Sequence, residues 1–118
     1  MSEWNAKYFD RDEFACSCGC GFDTVDYELI RVLEYMREHF DAPITITSGC
    51  RCKAHNKKVF GSYASFHLQG RAADIVVKDV PPTVVAELAE QMEVGGIGRY
   101  KTFTHIDTRT GQARWSGD

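Results

Sequence analysis

The sequence predicts an α+β fold with a small antiparallel sheet and flanking helices. Three observations lead there: a helix-period segment comes first, strand-like runs cluster late, and the late runs are joined by short turns. With 118 residues and no internal repeat or linker, the whole span 1–118 reads as a single domain.

The first long element is a helix over about 24–39. Asp23 or Thr24 stands at its start, and Tyr27, Ile30, Leu33, Tyr35 and Met36 recur at near-helical spacing. Basic Arg37 and His39 gather at its end, where the macrodipole favours positive charge. Pro43 follows, then the β-rich run Ile44–Ser48, closed by Gly49. Residues 50–71 are irregular, basic and punctuated by glycine; a stretch of that length without periodicity is commonly functional. Ala72 to Val77 is a buried strand. Pro81-Pro82 opens a second helix carrying Val84, Val85, Leu88 and Ala89, which Gly95-Gly96 ends. Strands are then predicted at 97–100, 103–108 and 113–115, the last two forming a hairpin through Thr110-Gly111.

Composition narrows the class. A hydrophobic fraction of 43% with 26% charged residues excludes a disordered tail and a fibrous repeat. No run approaches the ~18 apolar residues of a membrane span. A net charge of −3 argues against broad capture of nucleic acid. The opening Met1 to Asn5 lacks the basic and apolar regions of an export signal, so synthesis for the cytoplasm is expected. In a reducing compartment the five cysteines, Cys16, Cys18, Cys20, Cys50 and Cys52, fit metal ligands or free thiols. A disulfide between the two clusters remains open for a protein working outside the cytosol.

Three side chains carry chemistry: His67, Asp74 and His105. Asp74 lies in an otherwise apolar strand, where a carboxylate is costly unless paired, hydrogen-bonded or bound to a cation. Two imidazoles and a carboxylate form the protein half of a catalytic zinc site, whose fourth position takes water. That chemistry suits amide hydrolysis. Against it stands a plain alternative, in which Asp74 pairs locally and each histidine is a satisfied core residue.

The run Ser65, His67, Gly70, Ala72, Asp74, followed by Phe103-Thr104-His105-Ile106-Asp107, resembles the M15 family of zinc D-Ala-D-Ala carboxypeptidases and peptidoglycan endopeptidases. Ser48-Gly49-Cys50-Arg51 is similar to that family's Ser-Gly-Tyr-Arg segment, and the opening Phe14, Cys16, Cys18 resembles its small, single-domain branch, common in phage-encoded proteins. The resemblance spans about residues 14 to 115 and implies a Hedgehog/D-Ala-D-Ala peptidase-like fold. It implies that His67, Asp74 and His105 hold Zn2+, that Arg51 binds substrate carboxylate or the developing oxyanion, and that Ser65 lines the same pocket. Arg51 otherwise reads as a solvated loop charge.

One departure stands out. Better-known members carry a general base two or three residues before the last zinc histidine, where this chain has Phe103 and Thr102. Asp107 shares a strand face with His105, and so is a candidate base or a carboxylate that orients the histidine. The alternative is an exposed pair with Arg109, worth ~1 kcal/mol or less. Two functions follow: a monomeric zinc peptidase acting on peptidoglycan stem peptide as carboxypeptidase or endopeptidase, or a non-catalytic zinc-bearing module that binds wall peptide or a protein. Neither nucleic acid nor membrane is an expected partner. Reaching the wall as a phage lysin or tail component fits the first.

Overall fold

The computed structural model describes residues 6–16, 25–49, 51, 67 and 70–117. A 3-10 turn at Arg11–Phe14 precedes helix α1 (Tyr27–Phe40), strand β1 (Ile44–Ser48) and strand β2 (Ala72–Val77). Helix α2 (Pro82–Gln91) follows, then β3 (Gly96–Arg99), β4 (Thr104–Asp107) and β5 (Ala113–Ser116).

Helix α1 forms because Leu29, Ile30, Leu33 and Met36 fall on one face, and all four are buried. Asp26 precedes it in an extended conformation without capping by its side chain, and the carboxylate instead accepts a 2.9 Å hydrogen bond from the Thr108 hydroxyl. The expected cap at Asp23 or Thr24 lies outside the described residues. Asp41 stops the helix in the left-handed region at φ 49, just before Pro43. Helix α2 starts on Pro82, whose missing N–H costs nothing in the first turn. Its buried face is Val85, Ala86, Leu88 and Ala89; Val84, expected on that face, is exposed.

The sheet order is β1-β2-β4-β3-β5. Three of its pairings are antiparallel, as expected, but β5 runs parallel to β3, so the sheet is mixed. The expected hairpin between the last two strands does not form. β4 already has β2 on one edge and β3 on the other, which leaves the outer edge of β3 for the final strand. Asp107, the last residue of β4, lies opposite Gly96, the first of β3. A short step over that end brings Ala113 beside Gly96, and a strand starting there must run with β3. The turn expected at Thr110-Gly111 is present, with Gly111 at φ +80, but it serves this step.

Alternation along the strands separates two faces. Ala73, Ile75, Val77, Ile97 and Ile106 join the buried residues of both helices in one core. Ala72, Asp74, His105, Asp107, Gly96 and Gly98 belong to the opposite face. Among the described residues no helix is long and apolar enough to cross a membrane.

Candidate metal centre

Strand pairing draws one line of residues across all five strands. Ser48 lies opposite Asp74, Asp74 opposite His105, His105 opposite Gly98, and Gly98 opposite Trp115. Direct cross-strand partners share a face, so this row collects polar groups that are far apart in the chain. A register shift in β1 between Ile46 and Ser48 helps: the extra residue carries Ser48 to the position beside Asp74. The Thr47 hydroxyl donates to the Asp74 carbonyl at 3.1 Å, closing the irregularity.

Asp74 is the hub. Its Oδ1 lies 3.0 Å from His105 Nδ1 and 3.4 Å from His67 Nε2, and its Oδ2 lies 3.5 Å from Arg51 Nη2. All of these side chains are buried or nearly so. Burial by itself lifts the Asp74 carboxyl. Hydrogen bonds from His105 and His67 outweigh it and hold the group well below the usual carboxylate range.

The ring nitrogens sort themselves by partner. His67 Nδ1 lies 2.6 Å from the Gly49 carbonyl, which only accepts, so Nδ1 carries a proton and Nε2 is the nitrogen that faces Asp74. His105 Nε2 lies 2.8 Å from Asp107 Oδ2, which leaves Nδ1 toward Asp74. Burial opposes a charge on His105, but hydrogen bonds to Asp107 and Asp74 raise its pKa. Positive charge belongs between His105 Nδ1 and Asp74; a proton or a cation supplies it.

The residues fit a zinc ion. One donor atom from each of His67, Asp74 and His105 lies within 4.8 Å of the other two. Ligands ~2.0–2.1 Å from a tetrahedral centre stand about 3.3 Å apart, close to the 3.4 and 3.0 Å separations about Asp74 Oδ1. Two neutral imidazoles and one carboxylate are also the donor types zinc takes.

Behind His105 the packing depends on glycine. A Cβ at Gly96 would collide with the Asp107 carboxylate, and one at Gly98 would stand 2.6 Å from the Trp115 indole nitrogen. β3 therefore lends this face no side chain at either position. The Asp107 carboxylate occupies one notch and the Trp115 ring the other, its centroid 4.9 Å from that of His105. The alternating glycines at 96 and 98 were a readable signal for a bare strand face. Trp115 gave no chemical cue of its own in the sequence.

The sequence profile of the peptidase M15 family matches residues 7–107. The chain belongs to peptidase family M15. A curated relative, the probable peptidoglycan L,D-endopeptidase MepK of Haemophilus influenzae, is 39% identical over 54 residues. That match covers 45% of this chain and 29% of the relative, so the part shared with this M15 chain is under a third of that protein's length.

In this M15 chain the structure brings His67, Asp74, His105 and Arg51 together. Arg51 is held by its backbone N–H donating to the His67 carbonyl at 2.9 Å and by Nε donating to Ser48 Oγ at 3.2 Å. Ser65, Cys18, Cys20, Cys50 and Cys52 lie outside the described residues; Cys16 is buried. Phe103 stacks on Tyr100 with ring centroids 4.3 Å apart, in the turn joining β3 to β4. Asp107 does pair with Arg109, but as a fully buried carboxylate that also meets His105, unlike the exposed pair considered from sequence.

Proposed function

We propose that this chain is a zinc-dependent peptidase that hydrolyses peptide bonds in peptidoglycan stem peptides, acting as a single domain. The observation that carries the reading is the convergence of His67, Asp74 and His105 donors within 4.8 Å in a chain of the M15 family. The relative named as a peptidoglycan L,D-endopeptidase favours endopeptidase over carboxypeptidase action.

His67 Nε2, an Asp74 carboxylate oxygen and His105 Nδ1 would hold the metal. When bound, zinc there supplies Lewis acidity toward the scissile carbonyl and lowers the pKa of water in its open position. Arg51 offers a planar fork beside the same carboxylate, suited to a substrate carboxylate or to the developing oxyanion. Ser65, two residues before His67, is assigned to the same pocket on the motif alone. Asp107 orients His105 by accepting a hydrogen bond from its Nε2–H. Its oxygens are engaged by His105 and Arg109, which supports a holding role over proton transfer.

That saturation favours a second reading. With Thr102 and Phe103 at the usual base positions and Asp107 occupied, a zinc-bearing module that binds wall peptide without cutting it is the alternative.

Turnover on purified peptidoglycan with and without chelator separates the two, alongside metal analysis of the wild type and His67→Ala. The peptidase reading expects chelator-sensitive release of new termini and loss of stoichiometric zinc in the variant. Full metal retention by His67→Ala would place the metal elsewhere, and zinc binding without turnover would favour the module.

A further inference from the structure

We infer that Arg109 is a positioning residue for the candidate metal centre, acting on His105 through Asp107. The inference rests on the reading of His67, Asp74 and His105 as metal ligands and extends it one residue outward.

The Asp107 carboxylate is fully buried and takes four hydrogen bonds. Oδ1 accepts from Arg109 Nε at 2.8 Å and from the Arg109 backbone N–H at 3.2 Å. Oδ2 accepts from Arg109 Nη2 at 2.7 Å and from His105 Nε2 at 2.8 Å. Two parallel bonds from one guanidinium fix the plane of a carboxylate, which one bond cannot do. The plane sets the direction of the remaining Oδ2 lone pair, and that direction sets the rotation of the His105 ring. Ring rotation decides whether Nδ1 faces Asp74. The guanidinium is itself wedged, with Cζ 5.1 Å from the centroid of Trp115, whose ring lies against His105. Arg109 therefore braces His105 by two routes, through Asp107 and through the indole.

A purely electrostatic role predicts the opposite sign. Removing a fixed positive charge near a cation site tightens cation binding, whereas releasing the His105 ring weakens it. The sign of the change decides between them.

The test compares zinc affinity, by chelator competition, for the full chain and its Arg109→Met, Arg109→Lys and Arg114→Met variants. Arg114 lies within β5 and pairs with Glu90 at 2.7 Å, so it controls for a lost ion pair. The expected result is zinc affinity weakened about 10- to 100-fold in Arg109→Met, less in Arg109→Lys, and unchanged in Arg114→Met. Wild-type or tighter affinity in Arg109→Met overturns the inference. Should Arg109→Met not fold, Arg109→Lys decides alone: weaker zinc supports the bracing role and wild-type affinity overturns it. A metal-free readout separates this from the metal reading itself. Exchange of the His105 Nε2 proton with water, followed by nitrogen NMR, should accelerate in the Arg109 variant; equal exchange rates overturn the brace. If the wild type takes up no zinc at all, the ligand assignment fails, and the exchange result still judges the brace.

Discussion

Asp74, His105 and Asp107 form a chain of alternating charge in which each group's protonation serves its neighbour. Burial alone disfavours the ionised form of both carboxylates, yet hydrogen bonds from His105, with His67 at Asp74 and Arg109 at Asp107, hold both pKa values down. A depressed carboxylate pKa adds stability above the unfolded value, which disappears as pH falls through the folded one. His105 is raised, so its contribution is complete below the unfolded value of about 6.5 and fades as pH rises through the folded one. Metal-free protein should therefore lose stability on both sides: below about pH 4 from the carboxylates, and above about pH 6.5 from His105. Thermal melts in chelator across pH 3 to 9 check this, and a flat profile between 6 and 9 would deny His105 its raised pKa. Arg51 belongs to the same scale but to a different task. Its guanidinium lies 3.5 Å from Asp74 Oδ2, the carboxylate oxygen that pairs with neither histidine, and offers no donor atom to a metal. Arg51→Ala should keep zinc while wall-peptide turnover falls by ~10² or more, as for loss of a charge-assisted contact made in the transition state. Wild-type turnover would remove Arg51 from the pocket.

At the scale of elements, β3 earns its place by what it omits. Ile97 faces the core, while Gly96 and Gly98 clear the other face for Asp107 and Trp115. Gly98→Ala should push the indole off His105, lowering stability by about 1–3 kcal/mol, as overpacking does. Denaturant melts of Gly98→Ala beside an exposed control such as Val84→Ala check it, and equal midpoints would mean that the indole yields freely. The same strand marks the limit of sequence reading. Asp74 was legible because a carboxylate among Ala72, Ala73 and Ile75 to Val77 demands a partner, and His105 because it interrupts a similar strand. The helices were legible from their period, including the proline start of α2. Strand partners were not. Thr110-Gly111 has the chemistry of a hairpin turn and does turn, but a five-residue link between β4 and β5 carries no information about which edge of a sheet is still open. The β1 irregularity that sets Ser48 beside Asp74 left no mark in ITITS, whose alternation looks regular. Asp107 was placed on the right face from its spacing to His105. Its burial beneath Arg109 depended on Gly96, whose role appears only once β3 and β4 are paired.

On the scale of the whole molecule, the three proposed ligands come from separate places: β2, β4 and residue 67, which precedes β2. β2 and β4 already pair through backbone hydrogen bonds, so a metal adds little to their register. His67 is different. It joins the sheet through its ring on the Gly49 carbonyl and its own carbonyl on Arg51 N–H, both contacts to the segment just after β1. A cation shared by His67, Asp74 and His105 would tie that segment to the centre of the sheet. Zinc that binds only the folded chain stabilises it by mass action, about 2.7 kcal/mol at a free concentration one hundred times Kd. For a chain of 118 residues that is a rise in Tm of about 10 °C. His67→Ala should abolish most of the rise, whereas Arg51→Ala should keep it, because Arg51 carries no ligand atom. Calorimetric scans with buffered zinc and with chelator measure both. An equal zinc-induced rise in wild type and His67→Ala would show that the stabilising ion sits at some other group, and the ligand assignment would have to move with it.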